Sequence, residues 1–380
     1  MSGIADRPSV LIVGGSLAGL FTANLLGPLG WQVEVIERSP HDLDSRGGGI
    51  VLQPEVVEVF RRLEIDVAHE ALGVASGFRI VLRPDGTIQS KAWAPQTQTS
   101  WSFIYATLRR AFGAEGYHQG RSLVRVEQDR AASRVVAHLD DGSTRHVDLL
   151  VGADGGNSTV RGQVWPNERP RYAGYLAWRG LLPESDMTPA AAMLHGNFGF
   201  ANAAGSHILG YLVPGDGADM RAGHRLYNWV WYRVAPEVLL QEILIDATGA
   251  RWVSALPEGL LAPRWINHLR DEADRLLPPA FRAVVRATGQ PFMQTIRDLA
   301  ADRMVDGRII MLGDAASIPR PHTAASSSKA AADALELADA LTAAPDIDTA
   351  LARWEPAQVA LGKALLAQGR AIGNELLLRA

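Results

Sequence analysis

The sequence predicts an α/β protein in which a nucleotide-binding unit carries an inserted, mainly antiparallel β-sheet and ends in a helical segment. The first observation is a strand that runs into a glycine turn over residues 10–19, and the second is a pair of later strands that end in the same way near residues 152 and 313. The third is the run of alternating strand patterns over residues 171–294. A chain of 380 residues also exceeds the usual size of one core, which favours two structural units.

The first motif is a strand, a turn and a helix. Residues 10–13 are apolar, the next two glycines allow a tight turn, and residues 17–26 have the apolar spacing of a helix. In the usual G-x-G-x-x-G pattern, a diphosphate approaches the glycine backbone at the positive N-terminus of the helix, and a serine here takes the middle position. The candidate nucleotide-binding residues of this motif are Gly14, Gly15, Ser16, Leu17, Ala18 and Gly19.

A second strand supports the nucleotide interpretation. Residues 32–36 alternate as in a strand and end at Glu37, where an acidic side chain can bind the hydroxyl pair of a ribose. The alternative is a plain βαβ unit without a nucleotide. The glycine-rich segment at residues 46–49 either lets a ligand approach the backbone or forms a solvent loop.

The segments that follow predict short elements. Pro54 starts a helical pattern, and residues 78–92 predict a hairpin around a Pro-Asp-Gly turn. Ser102 is the predicted N-cap of a helix that runs to about Phe112. Residues 123–147 predict a three-stranded meander.

Two later strands end in glycine and aspartate. One runs into Asp154, and the other ends at Gly313 and Asp314 before an alanine-rich helix that is predicted from about Ser326 to Leu341. Each motif alone also fits a loop with an aspartate cap. In this order, and together with the first motif, they predict one nucleotide site.

The order of the three motifs resembles the FAD-dependent aromatic hydroxylases of the single-component, para-hydroxybenzoate-hydroxylase-like family, and within it the hydroxypyridine hydroxylase branch. The resemblance covers essentially the whole chain. It implies a Rossmann-like FAD-binding domain with an inserted, mainly antiparallel β-sheet substrate domain and a C-terminal helical segment. The residues that carry it are Gly14-Gly15-Ser16, Gln53-Pro54, Tyr117-His118, Tyr172-Ala173-Gly174-Tyr175, Trp178-Arg179-Gly180, Gly313-Asp314-Ala315-Ala316 and Pro319-Arg320-Pro321-His322.

The resemblance also implies residue roles. Glu37 would bind the adenosine ribose, Asp154 belongs to the motif that touches FAD and NAD(P)H, and Asp314 would hold the ribityl chain. Pro321 and His322 are expected beside the isoalloxazine ring, because relatives carry a proline near its O2-reacting edge. Further contacts with a tightly bound, non-covalent FAD are implied for Arg38, Gln53, Tyr105, Gly313, Ala324 and Ala325.

The sequence departs from the family pattern near the flavin. Tyr105 stands where many relatives have arginine, Ser317 where a histidine is usual, and Ala324 and Ser326 where glycines are expected. These changes match the hydroxypyridine branch. The helix that begins near Ser326 can still direct its N-terminal amides at the flavin, where they would stabilise the negative charge of its reduced form.

The expected domains follow from the order of the motifs. The FAD-binding domain comprises residues 1–76, 100–170 and 295–380, and the substrate domain comprises residues 77–99 and 171–294. Because side chains alternate along a strand, Trp229 and Trp231 fall on one face. We predict that they line the substrate pocket with Trp178; the equally weighted alternative is an aromatic core for the sheet.

His207 and Tyr211 are the predicted catalytic residues beside Pro321 and His322. They are four apart in a predicted strand, so they share a face and can converge on the two ends of a small ring. We expect His207, with a pKa near the working pH, to accept a substrate hydroxyl proton, and Tyr211 to orient the oxygen or a ring nitrogen. The alternative is two half-buried sheet residues.

The resemblance implies a monooxygenase that hydroxylates a small electron-rich (N-hetero)aromatic, such as a hydroxypyridine or a phenol. In that reaction NADH or NADPH reduces FAD, O2 adds to flavin C4a, and the hydroperoxide delivers OH to the ring. One alternative is a flavin-binding sensor without turnover. A halogenase would need the motif Trp-x-Trp-x-Ile-Pro, but here Trp229-Val230-Trp231 is followed by Tyr232-Arg233. A Baeyer-Villiger enzyme would need a second glycine-rich βαβ fingerprint, and the sequence has none.

Composition narrows the class further. Cysteine is absent, which excludes disulfides, thiolate nucleophiles and cysteine-ligated metals, and no metal is expected. A net charge of -4 gives no reason to expect nucleic acid or a membrane as a partner. Because the first strand leaves no room for a signal peptide and no apolar run approaches membrane-spanning length, we expect a cytoplasmic protein. The expected partners are a small aromatic substrate, NAD(P)H and O2, with a homodimer as an option.

Overall fold

The computed structural model of the protein describes residues 7–43, 48–65 and 72–378. The strands are β1 (Ser9–Val13), β2 (Gln32–Glu37), β3 (Gly49–Val51), β4 (Val74–Leu82), β5 (Ile88–Ser100), β6 (Tyr117–Gln119), β7 (Leu123–Asp129), β8 (Arg134–Leu139), β9 (Thr144–Val147), β10 (Leu149–Gly152), β11 (Arg171–Pro183), β12 (Asn197–Ala203), β13 (Ser206–Val213), β14 (Leu226–Val234), β15 (Ala255–Leu256), β16 (Phe292–Ala300), β17 (Val305–Asp306), β18 (Ile309–Met311) and β19 (Ser317–Ile318). The helices are α1 (Leu17–Leu26), α2 (Pro54–Arg62), α3 (Trp101–Phe112), α4 (Thr159–Val164), α5 (Glu237–Ile243), α6 (Pro263–Leu276), α7 (Pro279–Ala287), α8 (Ser326–Ala343) and α9 (Ile347–Gly373).

A six-stranded sheet in the described part of the chain has the order β17-β18-β10-β1-β2-β6. All neighbours are parallel except β17 and β18. Strands β1 and β10 are almost wholly apolar because both faces of the sheet are covered. Helices α1, α3 and α8 pack on one face, and the meander β7–β9 packs on the other. The predicted nucleotide-binding unit and the predicted meander are therefore present.

A ten-stranded sheet holds the remaining strands in the order β15-β16-β11-β14-β13-β12-β4-β5-β3, with β19 paired to β16. Its neighbours are antiparallel except β12 and β4. Helices α5, α6 and α7 cover one face. The α/β class with an inserted, mainly antiparallel sheet is thus confirmed.

The two sheets are joined near the end of β16. Leu299 of β16 pairs with Ile318 of β19, directly after the last strand of the parallel sheet. Two residues later, the buried Arg320 makes a two-pronged ion pair with Asp298, with nitrogen to oxygen distances of 2.7 and 2.8 Å. The segment that carries Pro321 is therefore fixed to the large sheet.

One detail differs from the sequence predictions, and another is left as a prediction. Helix α3 is capped by Ser100 and not by Ser102, because the Ser100 hydroxyl accepts a hydrogen bond from the Phe103 amide at 3.0 Å. The predicted domain boundaries stay a prediction; by hydrogen bonding, the large sheet also takes in β3 and begins its hairpin at Val74. Over the described ranges, no helix has the length and apolar character needed to cross a membrane.

Candidate active site

The three glycine motifs meet at one edge of the parallel sheet. Strands β18, β10, β1 and β2 are neighbours, and the carboxyl ends of parallel strands lie at the same edge. Gly14 has a φ of +110°, and a Cβ there would lie 2.4 Å from the Ala153 carbonyl oxygen, so the first and second motifs touch. A Cβ on Gly313 would lie 2.8 Å from that of Ala18, which brings in the third. The predicted nucleotide residues are therefore together.

Glu37 at the end of β2 is buried and holds the glycine turn. Its two carboxylate oxygens accept hydrogen bonds from the amides of Gly15 at 2.9 Å and Ser39 at 2.8 Å. Ser16 makes no side-chain capping bond, so the first-turn amides of α1 keep their donors for a ligand. The ribose role of Glu37 stays a prediction.

The other predicted contacts of the first half do not form one cluster. Tyr105 is buried, and its hydroxyl lies 3.5 Å from that of Tyr117, which donates to the Gly15 carbonyl at 3.0 Å. Arg38 is exposed beside Glu37. Gln53 lines an open groove of about 550 Å³ at the start of α2, and Arg46 of the glycine-rich segment lies outside the described residues.

Asp154 is half-buried, and one of its carboxylate oxygens is buried and unsatisfied. Its Oδ2 accepts from the amides of Thr159 at 2.6 Å and Val160 at 3.2 Å, whereas Oδ1 has no partner in the described parts of the chain. Burial raises the pKa of Asp154. A buried acceptor without a donor is costly, and a ligand hydroxyl would satisfy it.

Asp314 is held at the start of α8. Its Oδ1 accepts from the Ser326 hydroxyl at 2.8 Å, and burial raises its pKa. The preceding Gly313 donates its amide to Asp333 at 2.8 Å, and Lys329 pairs with that carboxylate at 2.5 Å. Ala324, with a φ of +52°, and Ala325 lead into α8.

The ten-stranded sheet has two unlike faces, and register assigns residues to each. We call the first the polar face; it carries three rows of side chains from β11, β14, β13 and β12, since directly paired residues share a face. We call the second the tryptophan face, because it carries Trp178, Trp229 and Trp231. The rows of the polar face are Ala177, Tyr232, His207 and Asn202; then Arg179, Val230, Leu209 and Phe200; then Leu181, Asn228 and Tyr211, with Phe198 beside it.

His207 is buried on the polar face, with its ring stacked 5.9 Å from that of Tyr232. Its Nδ1 lies 2.5 Å from Asn202 Oδ1. Because an amide oxygen only accepts, Nδ1 carries the hydrogen and Nε2 offers its lone pair. Burial lowers the pKa of His207 to about 4. The expectation of a pKa near the working pH is therefore wrong, and the neutral ring is a proton acceptor at neutral pH.

Tyr211 shares this face, two rows from His207, as predicted. Phe198 meets its ring edge-on at 4.7 Å, and burial raises the pKa of Tyr211 to about 12. The floor between the two rows is apolar, because Val230 and Leu209 lie there. A flat ring placed on that floor would have one polar residue at each end.

Two segments approach the polar face, one at the start of β3 and one after β19. The amide of Gly49 donates to Asn228 Oδ1 at 2.9 Å, next to Tyr211. At the other end, the His322 ring lies 4.4 Å from Tyr232, and its Nε2 lies 2.9 Å from the Tyr175 hydroxyl. Burial lowers the pKa of His322 to about 3, and electrostatic repulsion from His207 and Arg320 adds a smaller effect in the same direction. Nδ1 of His322 is buried without a partner among the described residues. The neighbouring Pro321 is exposed.

The three tryptophans are not part of this pocket. Trp178, Trp229 and Trp231 lie on the tryptophan face, buried in a core with α5, α6 and α7. The prediction that they line the substrate pocket is wrong, and the aromatic core is correct. Period-two alternation put Trp229 and Trp231 on one face, but the face that packs against helices is set by tertiary contacts.

Several residues of the polar face were absent from the predicted site. Asn202 orients His207, Tyr175 contacts His322, and Arg179, Asn228 and Tyr232 complete the rows. The available signal was alternation from His207 and Tyr211, but it identifies partners on other strands only when the register is known.

The fold and the grouped glycine motifs define a dinucleotide-binding protein with a ligand site between two sheets. A family model described as "FAD binding domain" matches residues 7–214, and one described as "FAD binding domain-like" matches residues 172–298. The chain therefore belongs to the FAD-binding-domain family of flavoproteins, and FAD is its cofactor.

Known relatives narrow the class. The chain is 34% identical to 2,6-dihydroxypyridine 3-monooxygenase of Paenarthrobacter nicotinovorans, over 99% of this chain and 93% of the relative. The structure of 2,6-dihydroxypyridine-3-hydroxylase from Arthrobacter nicotinovorans has a TM-score of 0.91 at 33% identity, over 98% of this chain and 93% of that one. The 6-hydroxynicotinate 3-monooxygenase of Pseudomonas fluorescens is 26% identical, over 89% of this chain and 83% of the relative. The chain is an FAD-dependent aromatic monooxygenase.

Proposed function

We propose that this enzyme hydroxylates a small hydroxypyridine-like ring, with NADH or NADPH and O2 as co-substrates. The observation that carries the proposal is the polar face, on which His207 and Tyr211 stand at the two ends of an apolar floor formed by Val230 and Leu209. The names of the two similar enzymes, one acting on 2,6-dihydroxypyridine and one on 6-hydroxynicotinate, support this substrate class.

The FAD would be held along the edge of the parallel sheet. The glycine turn lets a diphosphate reach the start of α1, and the unsatisfied Oδ1 of Asp154 fits a ligand donor. Glu37 and Asp314 supply acceptors for the ribose and ribityl hydroxyls. When bound, FAD supplies the redox chemistry: it takes electrons from NAD(P)H and activates O2 for transfer of one oxygen atom.

The protein prepares the ring for that transfer. Nε2 of His207 accepts the hydroxyl proton, which raises the electron density of the ring carbons. A base with a pKa of about 4 suits an acidic hydroxyl, as in a hydroxypyridine, better than that of a simple phenol. Tyr211 orients the opposite end, and Phe198, Phe200 and His322 exclude water from the ring.

The first test is a screen of NAD(P)H oxidation and product formation with hydroxypyridines, phenols and anthranilate-like acids. With the best substrate, stopped-flow on His207→Ala should show hydroxylation reduced by about 10²-fold or more. The variant should keep its flavin, and the reduced flavin should reduce O2 to H2O2 without forming product. Unchanged coupling of NAD(P)H oxidation to product in both His207→Ala and Tyr211→Phe would reject the assigned roles.

We also propose a cytoplasmic location, where FAD and NAD(P)H are available, and a homodimer. The contact that we would test first is Trp93, which is 68% exposed in β5 near the edge of the large sheet. Sedimentation of the holoenzyme and of Trp93→Ser tests it. A wild-type monomer at all concentrations would reject the dimer.

A further inference from the structure

Arg179 occupies the centre of one side of the polar face. It lies in β11, paired with Val230 of β14, which in turn pairs with Leu209 of β13. The rows on either side of it hold His207 and Tyr211. Two strand spacings separate β11 from β13, about 10 Å, so a ring on the floor would meet His207, Tyr211 and Arg179 from three directions.

The guanidinium of Arg179 is only partly satisfied. Nη1 donates to Gln294 Oε1 at 3.1 Å, whereas Nε is buried and has no acceptor in the described ranges. No carboxylate pairs with it among these residues, in contrast to Arg225, Arg233 and Arg320, which lie in or next to strands of the large sheet and pair with Glu184, Glu272 and Asp298. A cationic side chain with a buried, unpaired donor is costly, and an anionic ligand would remove that cost.

The reach of Arg179 fits a ligand on the floor. Nη2 lies so close to Gly48 that a Cβ there would be 2.3 Å away, which fixes the guanidinium at the rim where the glycine segment approaches. Its charge also acts on Tyr211 and Tyr232. Burial raises the pKa of both phenols, and Arg179 opposes that rise, so its field extends across the floor.

We propose that Arg179 binds the anionic oxygen of the ring substrate and selects rings that carry a negative charge in the pocket. The inference rests on the proposed function and deepens it. The substrate O–H bond breaks, its proton moves to Nε2 of His207, and the electron pair stays on the oxygen, where Arg179 donates hydrogen bonds to it. A ring that is already an anion would bind to Arg179 directly. Arg179 thereby favours an acidic hydroxypyridine over a neutral phenol of the same shape.

The test is substrate binding to oxidised holoenzyme, followed by the perturbation of the flavin absorbance. The probes are 2,6-dihydroxypyridine and resorcinol, which has the same two hydroxyls on a carbocyclic and much less acidic ring. We expect Arg179→Met to raise the Kd of 2,6-dihydroxypyridine by about 10-fold or more and that of resorcinol by less than about 3-fold. Arg179→Lys should fall between these values, because lysine keeps the charge but not the planar fork.

Arg171→Met is the matched control, because Arg171 is an exposed residue of the same strand without an ion pair in the described structure. It should leave both Kd values unchanged, and flavin content and Tm should show that every variant is folded. If wild type binds and hydroxylates 2,6-dihydroxypyridine but Arg179→Met loses affinity for neither probe, or equally for both, the inference is overturned and the proposed function stands. If wild type binds neither probe, both are rejected.

Discussion

The two faces of the ten-stranded sheet are both rich in aromatic rings and both carry buried side chains, such as Trp231 and His207, yet they differ in how their polar atoms are satisfied. On the tryptophan face, the indole nitrogens of Trp229 and Trp231 donate to Thr288 at 2.8 Å and to Ser206 at 2.7 Å. Its exceptions among the described residues are the Tyr227 hydroxyl and, on the covering helices α6 and α7, Trp265 Nε1 and Arg282 Nε, which are buried without partners.

On the polar face, or directly over it, the unpartnered buried atoms are Arg179 Nε, Asn228 Nδ2 and His322 Nδ1. Buried polar groups in proteins are normally hydrogen-bonded, so a cluster of unsatisfied ones needs an explanation. A ligand between the sheet and the two loops supplies one. Burial alone therefore does not separate core from site in this protein; the polar face is marked by unsatisfied atoms on two adjacent rows, those of Arg179 and Asn228.

The largest effect that we expect is a loss of stability when a tryptophan of the core is removed, and its absence would contradict the assignment of the two faces. Trp231→Ala should lower the free energy of unfolding of the holoenzyme by about 3–5 kcal/mol, because it removes a fully buried ring from the core with α6. Urea unfolding measures the loss. A loss below about 1 kcal/mol, accompanied by weaker binding of the ring substrate, would show that Trp231 lines the substrate pocket instead.

The polar face should instead reveal itself through pH. The pKa of His207 falls from 6.5 to about 4 on burial, so between these values the unfolded chain binds more protons than the folded one, and stability rises with pH. His207 then contributes a loss of about 3 kcal/mol as pH falls from 7 to 4. Urea unfolding across this range should give a shallower pH dependence for His207→Gln. Equal slopes would show that His207 is not buried as a neutral ring.

A change at the edge of the parallel sheet should spare both faces. Asp314→Ala should weaken FAD binding by about 1.5–3 kcal/mol, because a charge-assisted hydrogen bond to the cofactor is lost. Titration of the apoprotein with FAD gives the affinity, and Asp314→Asn, which keeps the shape, is the matched variant. Full flavin retention by Asp314→Ala at low FAD concentration would remove the assigned ribityl contact.

The smallest effects compare one tyrosine hydroxyl from each face, that of Tyr227 and that of Tyr211. Tyr227→Phe deletes an unsatisfied hydroxyl from the tryptophan face and should change stability by less than about 0.5 kcal/mol, with no change in KM. Tyr211→Phe should cost about 1 kcal/mol of substrate binding, seen as a several-fold higher KM. Opposite outcomes for the two variants would mean that the faces have been assigned the wrong way round.

The sequence was sufficient for the elements and their order, because the glycine turns and the alternation around His207 are local signals. It was not sufficient for the face on which Trp231 lies, since that depends on which helices pack against the sheet. It also placed the pKa of His207 near neutrality, because two of the rings that pack around it, those of Tyr232 and His322, are distant in sequence. Arg179 was visible as a residue, but only the register of β11 and β14 brings it to the polar face.

The pairing of β19 with β16 has a mechanical consequence. Because Ile318 is hydrogen-bonded into the large sheet and Arg320 grips Asp298, His322 belongs to the same rigid unit as His207, although its segment follows the last parallel strand. Any hinge between the two sheets along this part of the chain must therefore lie between Met311 and Ser317 and again between His322 and Ser326, where the chain returns to α8 on the parallel sheet. A swing about that hinge would carry both imidazoles together, so the distance between them would stay constant while their distance from the glycine turn at Gly14 changes.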